Sequence, residues 1–154
     1  KNETELGNLA KSFMDKGELV PDEVTIKMLN AEVENNKTAG GFIFDGFPRT
    51  ITQAAALDKL LASLNTHITI MISLDVPESE LIRRLLVRGK KSGRADDSDQ
   101  KVIANRISVY HEQTAIAAEY YNKQGKYYPL EGVGEVEEIF HSICKVVDQY
   151  VIRQ

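Results

Sequence analysis

At 154 residues, 42% apolar and 27% charged, the chain has the composition of an ordinary globular protein and the length for one substantial core. A formal net charge of −4 argues against a nucleic-acid binder held by a broad basic face. No apolar run approaches the roughly 18 residues that span a membrane, and no stretch has a signal-peptide pattern. No membrane partner is therefore expected, and the cytoplasm is the expected compartment.

The first expected element is a helix over 4–15, with Leu6, Leu9, Ala10, Phe13 and Met14 on one face and Gly17 as its stop. Glu18-Leu19-Val20 is a short connector, and Pro21-Asp22-Glu23 opens a second helix that runs to about Asn35. A polar loop leads into Phe42, Ile43 and Phe44, an apolar run that reads as a buried strand ending at Asp45. Gly46 and Pro48 break it, and from about Thr50 a helical stripe follows in Ala54, Leu57, Leu60, Leu61 and Leu64. His67 to Val76 is nearly continuous in apolar character, as suits a parallel strand covered on both faces.

Pro77-Glu78 begins a helix to about Gly89, and residues 90–99 form a polar loop. A long helix is expected from about Gln100 to Gln124, with Ile103, Ile107, Tyr110, Thr114, Ala117 and Tyr121 on one stripe and Gly125 as its stop. Tyr127, Tyr128 and Leu130 suggest a final strand, and a turn through Gly132 and Gly134 enters a last helix over about 135–150. On that helix Cys144 shares an apolar stripe with Phe140, Val147 and Val151, which favours a buried structural thiol over a nucleophile. His67, His111 and His141 have no metal-ligand spacing. Strands alternate with helices throughout, so the fold class is α/β with a parallel sheet.

The joint at 41–53 invites chemistry. In open α/β sheets, ligands bind beyond the carboxyl ends of the strands, where helix starts favour anions. There Asp45 would orient a hydrated cation and Arg49 would grip a phosphate with both arms; the plainer alternative is a strand-turn-helix joint whose arginine is only solvated. Arg84 and Arg88 share one helix face, Arg94 lies in the following loop and Arg106 in the next helix. Singly, each reads as a surface charge. As a set they flank one loop, and converging guanidinium groups suit a transferring phosphoryl group.

Asp45-Gly46-Phe47-Pro48-Arg49, with Gln53 four residues beyond the arginine, closely resembles the signature of adenylate kinases, within the nucleoside-monophosphate kinase family. Arg-Leu-Leu-Val-Arg-Gly from Arg84, then Ser-Gly-Arg, Asp-Asp and Asn-Arg, resembles the lid segment of short-lid members. The resemblance implies a P-loop NTPase-like parallel sheet flanked by helices, with an AMP-binding helical insert and a short lid. It treats 1–154 as one domain: about 1–35 the AMP-binding part, 41–87 and 100–154 the core, and about 88–98 the lid. The implied reaction is reversible, Mg2+-dependent phosphoryl transfer from ATP to AMP giving two ADP, in nucleotide homeostasis and salvage. The implied partners are AMP, ATP and ADP, and the full-length protein is expected to be a monomer.

By position, the resemblance makes Arg84, Arg88, Arg94, Arg106 and Asp45 the catalytic group. Arg88 would contact ATP and close the lid, Arg84 would stand beside the transferred phosphate, and Arg94 and Arg106 would bind phosphates on the AMP side. Asp96 and Asp97 would hold lid arginines in place. Backbone groups at Glu18, Leu19 and Val20 would meet the adenine of AMP, Gly46, Phe47, Pro48 and Arg49 would line its phosphate, and the Gln53 amide would read its base edge. That glutamine fits adenine better than the uridylate/cytidylate alternative. Gly134 would lie against the ATP base, and Asp45 would hold Mg2+ through waters.

One departure is large. The Gly-x-x-x-x-Gly-Lys loop that cradles phosphates is not found: Gly89-Lys90 and Gly125-Lys126 have Arg84 and Tyr120 where the first glycine belongs. The chain begins at Lys1, inside what the resemblance makes the AMP-binding part, so the family's N-terminal strands and phosphate loop are expected to be absent from it. In the family the first strand lies between those expected here at 41–45 and 67–76, so a chain without it would expose strand edges and an apolar channel. Such a chain alone is expected to be inactive. The reading from another class is a kinase-like fragment that binds a nucleoside monophosphate, or a partner, without catalysis.

Overall fold

The computed structural model describes residues 5–92, 97 and 99–151. Among the described residues seven α-helices and two strands follow one another as α1 (Glu5–Met14), α2 (Asp22–Asn35), α3 (Ile51–Ser63), β1 (Met71–Asp75), α4 (Glu78–Ser92), α5 (Gln100–Val109), α6 (Ala115–Asn122), β2 (Tyr127–Glu131) and α7 (Val136–Val151). β1 and β2 pair in parallel, with Met71 opposite Tyr127 and Asp75 opposite Glu131. The intervening helices form the crossover that a parallel pair needs. The α/β class and the parallel pairing are as expected.

Local chemistry accounts for the helix boundaries. Thr50 caps α3 by accepting the Gln53 backbone N–H at 3.1 Å, and Asp99 caps α5 by accepting that of Lys101 at 2.7 Å. α4 carries Glu78 and Glu80 in its first turn and Lys90 and Lys91 in its last, each sign at the favourable end of the helix dipole.

The core is contributed mainly by α3, α5 and α6, with α3 packed against both α2 and α6. Ala54, Leu57 and Leu61 of α3, Ile103 of α5, and Ala117 and Tyr121 of α6 are buried, with Val33 of α2 beside them. Burying a leucine such as Leu57 contributes about 1.5–3 kcal/mol. Asp58, one residue on, ties α3 to the end of α6: its carboxylate accepts from Tyr120 Oη at 2.9 Å, Tyr121 Oη at 3.4 Å and Gln124 Nε2 at 3.1 Å.

Four expectations need correction. Residues 41–45 are not a strand: 41–44 have no regular structure, Asp45 lies in a bend, and no described strand lies alongside to complete a ladder; Ile43 is 99% exposed. The strand expected over 67–76 is limited to Met71–Asp75, the stretch for which β2 supplies a partner. The helix expected over 100–124 is interrupted by a π-helical turn at Tyr110–Thr114. The wider turn shifts the phase of the stripe, so Tyr110 is exposed while Ala117 and Tyr121 return to the core. Cys144 is half-buried instead of enclosed, since α7 packs on β2 and leaves Val136 and Phe140 largely open. Among the described residues no helix is long and apolar enough to cross a membrane.

Candidate functional site

The arginines expected around the loop after α4 converge on one carboxylate. Asp97 is fully buried, and Arg88, near the end of α4, grips it with Nε to Oδ2 at 2.5 Å and Nη2 to Oδ1 at 3.0 Å. From α5, Arg106 adds Nη1 to Oδ1 at 2.6 Å. Both partners are charged and the geometry is forked, the strongest arrangement available to these groups. The Arg88 hydrogen bonds, aided by the charges of Arg88 and Arg106, hold the Asp97 carboxyl below its usual range against the opposing effect of burial. Gly89 makes the approach possible, because a Cβ there would stand 2.6 Å from the Asp97 carbonyl oxygen.

Arg106 also touches the 17–21 connector. Gly17 has φ of +73°, and a Cβ on it would fall 2.8 Å from Arg106 Cγ and 2.8 Å from the Val102 carbonyl oxygen. Only glycine suits both the backbone and the space. Asn105 reinforces the seam by donating from Nδ2 to the Lys16 carbonyl at 3.1 Å. The segment holding Glu18, Leu19 and Val20 is thereby pinned beside α5; Glu18 is exposed, and Leu19 and Val20 are half-buried.

Arg84 faces the turn before α7. Its Nε donates to Glu80 Oε1 at 2.7 Å and its Nη1 to the Gly132 carbonyl at 2.9 Å, two residues from the exposed Gly134. Glu80 also accepts two bonds from Arg83, and hydrogen bonds from Arg83 and Arg84 hold its carboxyl down to about 2.

The third cluster surrounds the turn at 45–50, where the Phe47–Pro48 peptide is cis and Pro48 is buried. Arg49 is exposed and folds back, donating from Nε to the Gly46 carbonyl at 2.7 Å. Gln53 is 2% exposed: its Oε1 accepts the Arg49 backbone N–H at 2.8 Å, and its Nε2 donates to Asp22 Oδ1 at 2.8 Å. Thr50 Oγ1 donates to the other Asp22 oxygen at 2.9 Å. Asp45 is exposed, with no hydrogen bond or ion pair to another described residue.

The expected site residues are thus gathered into three clusters: Arg88 with Arg106 and the connector, Arg84 with the Gly132–Gly134 turn, and Arg49 with Gly46 and Gln53. Arg94 and Asp96 lie outside the described residues. Sequence reasoning missed Asp22 as a partner of Gln53 and took it only as an early helical acid. Thr50-x-x-Gln53 has the form of a capping box, a signal that pointed to this network. In this structure the Gln53 side chain reaches Arg49, one residue before the cap.

An adenylate kinase family model matches residues 1–126. The chain is 52% identical over 148 residues to an adenylate kinase of Flavobacterium psychrophilum, an alignment covering 96% of this chain and 78% of that one. It is 51% identical to the adenylate kinase of Parabacteroides distasonis, over 96% of this chain and 77% of the relative. For that of Bacteroides fragilis the figures are 49%, 96% and 78%. With identity at this level across nearly its whole length, the chain belongs to the adenylate kinase family.

Proposed function

We propose that this chain carries the AMP-binding part, the lid and part of the core of an enzyme that transfers a phosphoryl group between ATP and AMP to give two ADP. The observation that carries the reading is the shared grip of Arg88 and Arg106 on the buried Asp97 carboxylate. It ties an arginine at the edge of the lid to one beside the 17–21 connector, one arginine for each nucleotide. In the reaction an oxygen of the AMP phosphate bonds to the terminal phosphorus of ATP as the bond from that phosphorus to ADP breaks. No side chain needs to form a covalent intermediate. The work of the protein is to position the two nucleotides and to neutralise charge on the transferring oxygens.

In this reading Arg88 and Arg84 act on the ATP side, and Arg94 and Arg106 on the AMP phosphate. Arg49 lines that phosphate with Gly46, Phe47 and Pro48, Glu18, Leu19 and Val20 border the base, and Gly134 lies against the ATP base. Asp45 fits a hydrated Mg2+, being an exposed hard-oxygen ligand with no competing described partner, and Mg2+ binds through one or two carboxylates while keeping waters. When bound, the ion supplies positive charge to the phosphate oxygens. Lid closure over about 88–98 excludes water that would otherwise take the phosphoryl group.

An acceptor panel tests the assignment. Protein expressed from its complete gene is given ATP and Mg2+ with AMP, UMP or CMP in turn. AMP is expected to be the preferred acceptor by far; equal use of UMP or CMP would reassign the enzyme within its class. AMP binding with no transfer to any acceptor would favour the non-catalytic reading.

A further inference from the structure

The geometry points to Asp22 as a specificity-determining positioning residue, which fixes the sense in which the Gln53 amide meets the base of the acceptor nucleotide. This rests on the reading that places the AMP base at Gln53. A glutamine amide can turn end for end at little cost unless its neighbours forbid it. Here they do. The Arg49 backbone N–H can only donate, so it takes Oε1; the Asp22 carboxylate can only accept, so it takes Nε2. Asp22 is in turn steadied by Thr50, which donates to its second oxygen. At 2% exposure, water offers Gln53 few substitute partners, and a base must part the covering surface to reach it.

The two bonds leave one N–H on Nε2 and one lone pair on Oε1. Adenine presents an amino donor beside a ring acceptor, the complement of that pair. A 6-oxo purine presents a carbonyl acceptor beside a ring N–H, the opposite order. An amide held in one sense therefore favours a 6-amino purine over a 6-oxo purine, and one free to turn does not. Asp22 touches neither the base nor the phosphate in this scheme; it acts through Gln53.

The test is calorimetric binding of AMP and of IMP to the protein expressed from its complete gene, compared with Asp22→Ala, Asp22→Ser, Asp22→Asn and Gln53→Ala. Losing the charged hydrogen bond is expected to narrow the AMP-over-IMP preference about tenfold in Asp22→Ala and Asp22→Ser. Asp22→Asn keeps an acceptor for Nε2 and is expected to hold the preference within about twofold. ATP affinity should be unmoved in all of them. If Gln53→Ala narrows the preference while Asp22→Ala and Asp22→Ser weaken both nucleotides equally, Asp22 only supports the fold and the inference fails. If Gln53→Ala itself leaves the preference intact, the placement of the base is wrong instead. Should Asp22→Ala not fold, Asp22→Ser decides, since it keeps a polar residue in the first turn of α2 whose shorter side chain does not reach Gln53.

Discussion

Arg88 and Asp97, nine positions apart in the sequence, are joined by two hydrogen bonds at 2.5 and 3.0 Å. The carboxylate is wholly buried, while the Arg88 side chain keeps 46% of its surface exposed. One end of the pair is enclosed in the protein and the other is partly open to solvent. Arg106 takes a second bond to the same carboxylate from α5. A disturbance at one arginine is therefore felt at the other.

Replacing Asp97 by alanine is expected to lower the unfolding free energy by about 1–3 kcal/mol, less than for a fully enclosed ion pair because water can serve the exposed arginines. Denaturant titration measures it. A loss below about 0.5 kcal/mol would mean that the carboxylate holds nothing the solvent cannot replace.

The same residue predicts a pH dependence. The folded state depresses the Asp97 pKa, so its contribution is fully present above the unfolded carboxylate value of about 4 and is lost as pH falls through the lower folded value. Glu80, held down to about 2, titrates in an overlapping window and must be subtracted. The difference in stability between the parent protein and Asp97→Asn isolates Asp97: it should shrink as pH drops below about 4. Parallel curves would show that the pairing has no electrostatic consequence.

Arg88→Ala is expected to lower turnover by about 10³-fold or more while weakening AMP binding far less, because the charge it supplies matters most as the phosphoryl group moves. Single-turnover kinetics and AMP calorimetry separate the two effects. Equal losses in both would remove Arg88 from the lid role.

Asp58→Ala should cost about 1–3 kcal/mol, since it strands the hydroxyl of Tyr121, a residue 1% exposed, without its acceptor. Burial, followed by the charge of Asp58, raises the Tyr121 pKa well above the usual phenol value. The hydrogen bond to Asp58 raises Tyr120 as well, so ultraviolet titration should find these two tyrosines ionising late in the parent protein and earlier in the variant. An unchanged titration would place Tyr121 outside the influence of Asp58.

Much of the fold was legible because it is local. Pro21 ahead of Asp22 and Glu23 marks the start of α2, Thr50 marks that of α3, and the stripe Ala54, Leu57, Leu61 names the face that is buried. What failed depended on partners elsewhere. Phe42-Ile43-Phe44 has the composition of a strand, but a strand exists only beside another, and Ile43 is open to solvent. The π-turn at Tyr110–Thr114 left no mark in a stripe whose spacing reads as one continuous helix. At the site, motif spacing singled out Arg88, Arg106 and Gln53. The resemblance gave Asp97 as a holder of lid arginines, but it did not reveal that Arg88 and Arg106 share that one carboxylate or that Gln53 is bound to Asp22, 31 residues away. Those contacts belong to the tertiary fold.

The most direct measurement of the central claim is ³¹P NMR of the protein expressed from its complete gene, with ATP, AMP and Mg2+. Two ADP are expected for each AMP consumed, with no free phosphate, and ATP and AMP should return when the reaction is started from ADP alone. Release of inorganic phosphate in place of the second ADP, or ATP consumption that does not require AMP, would contradict it.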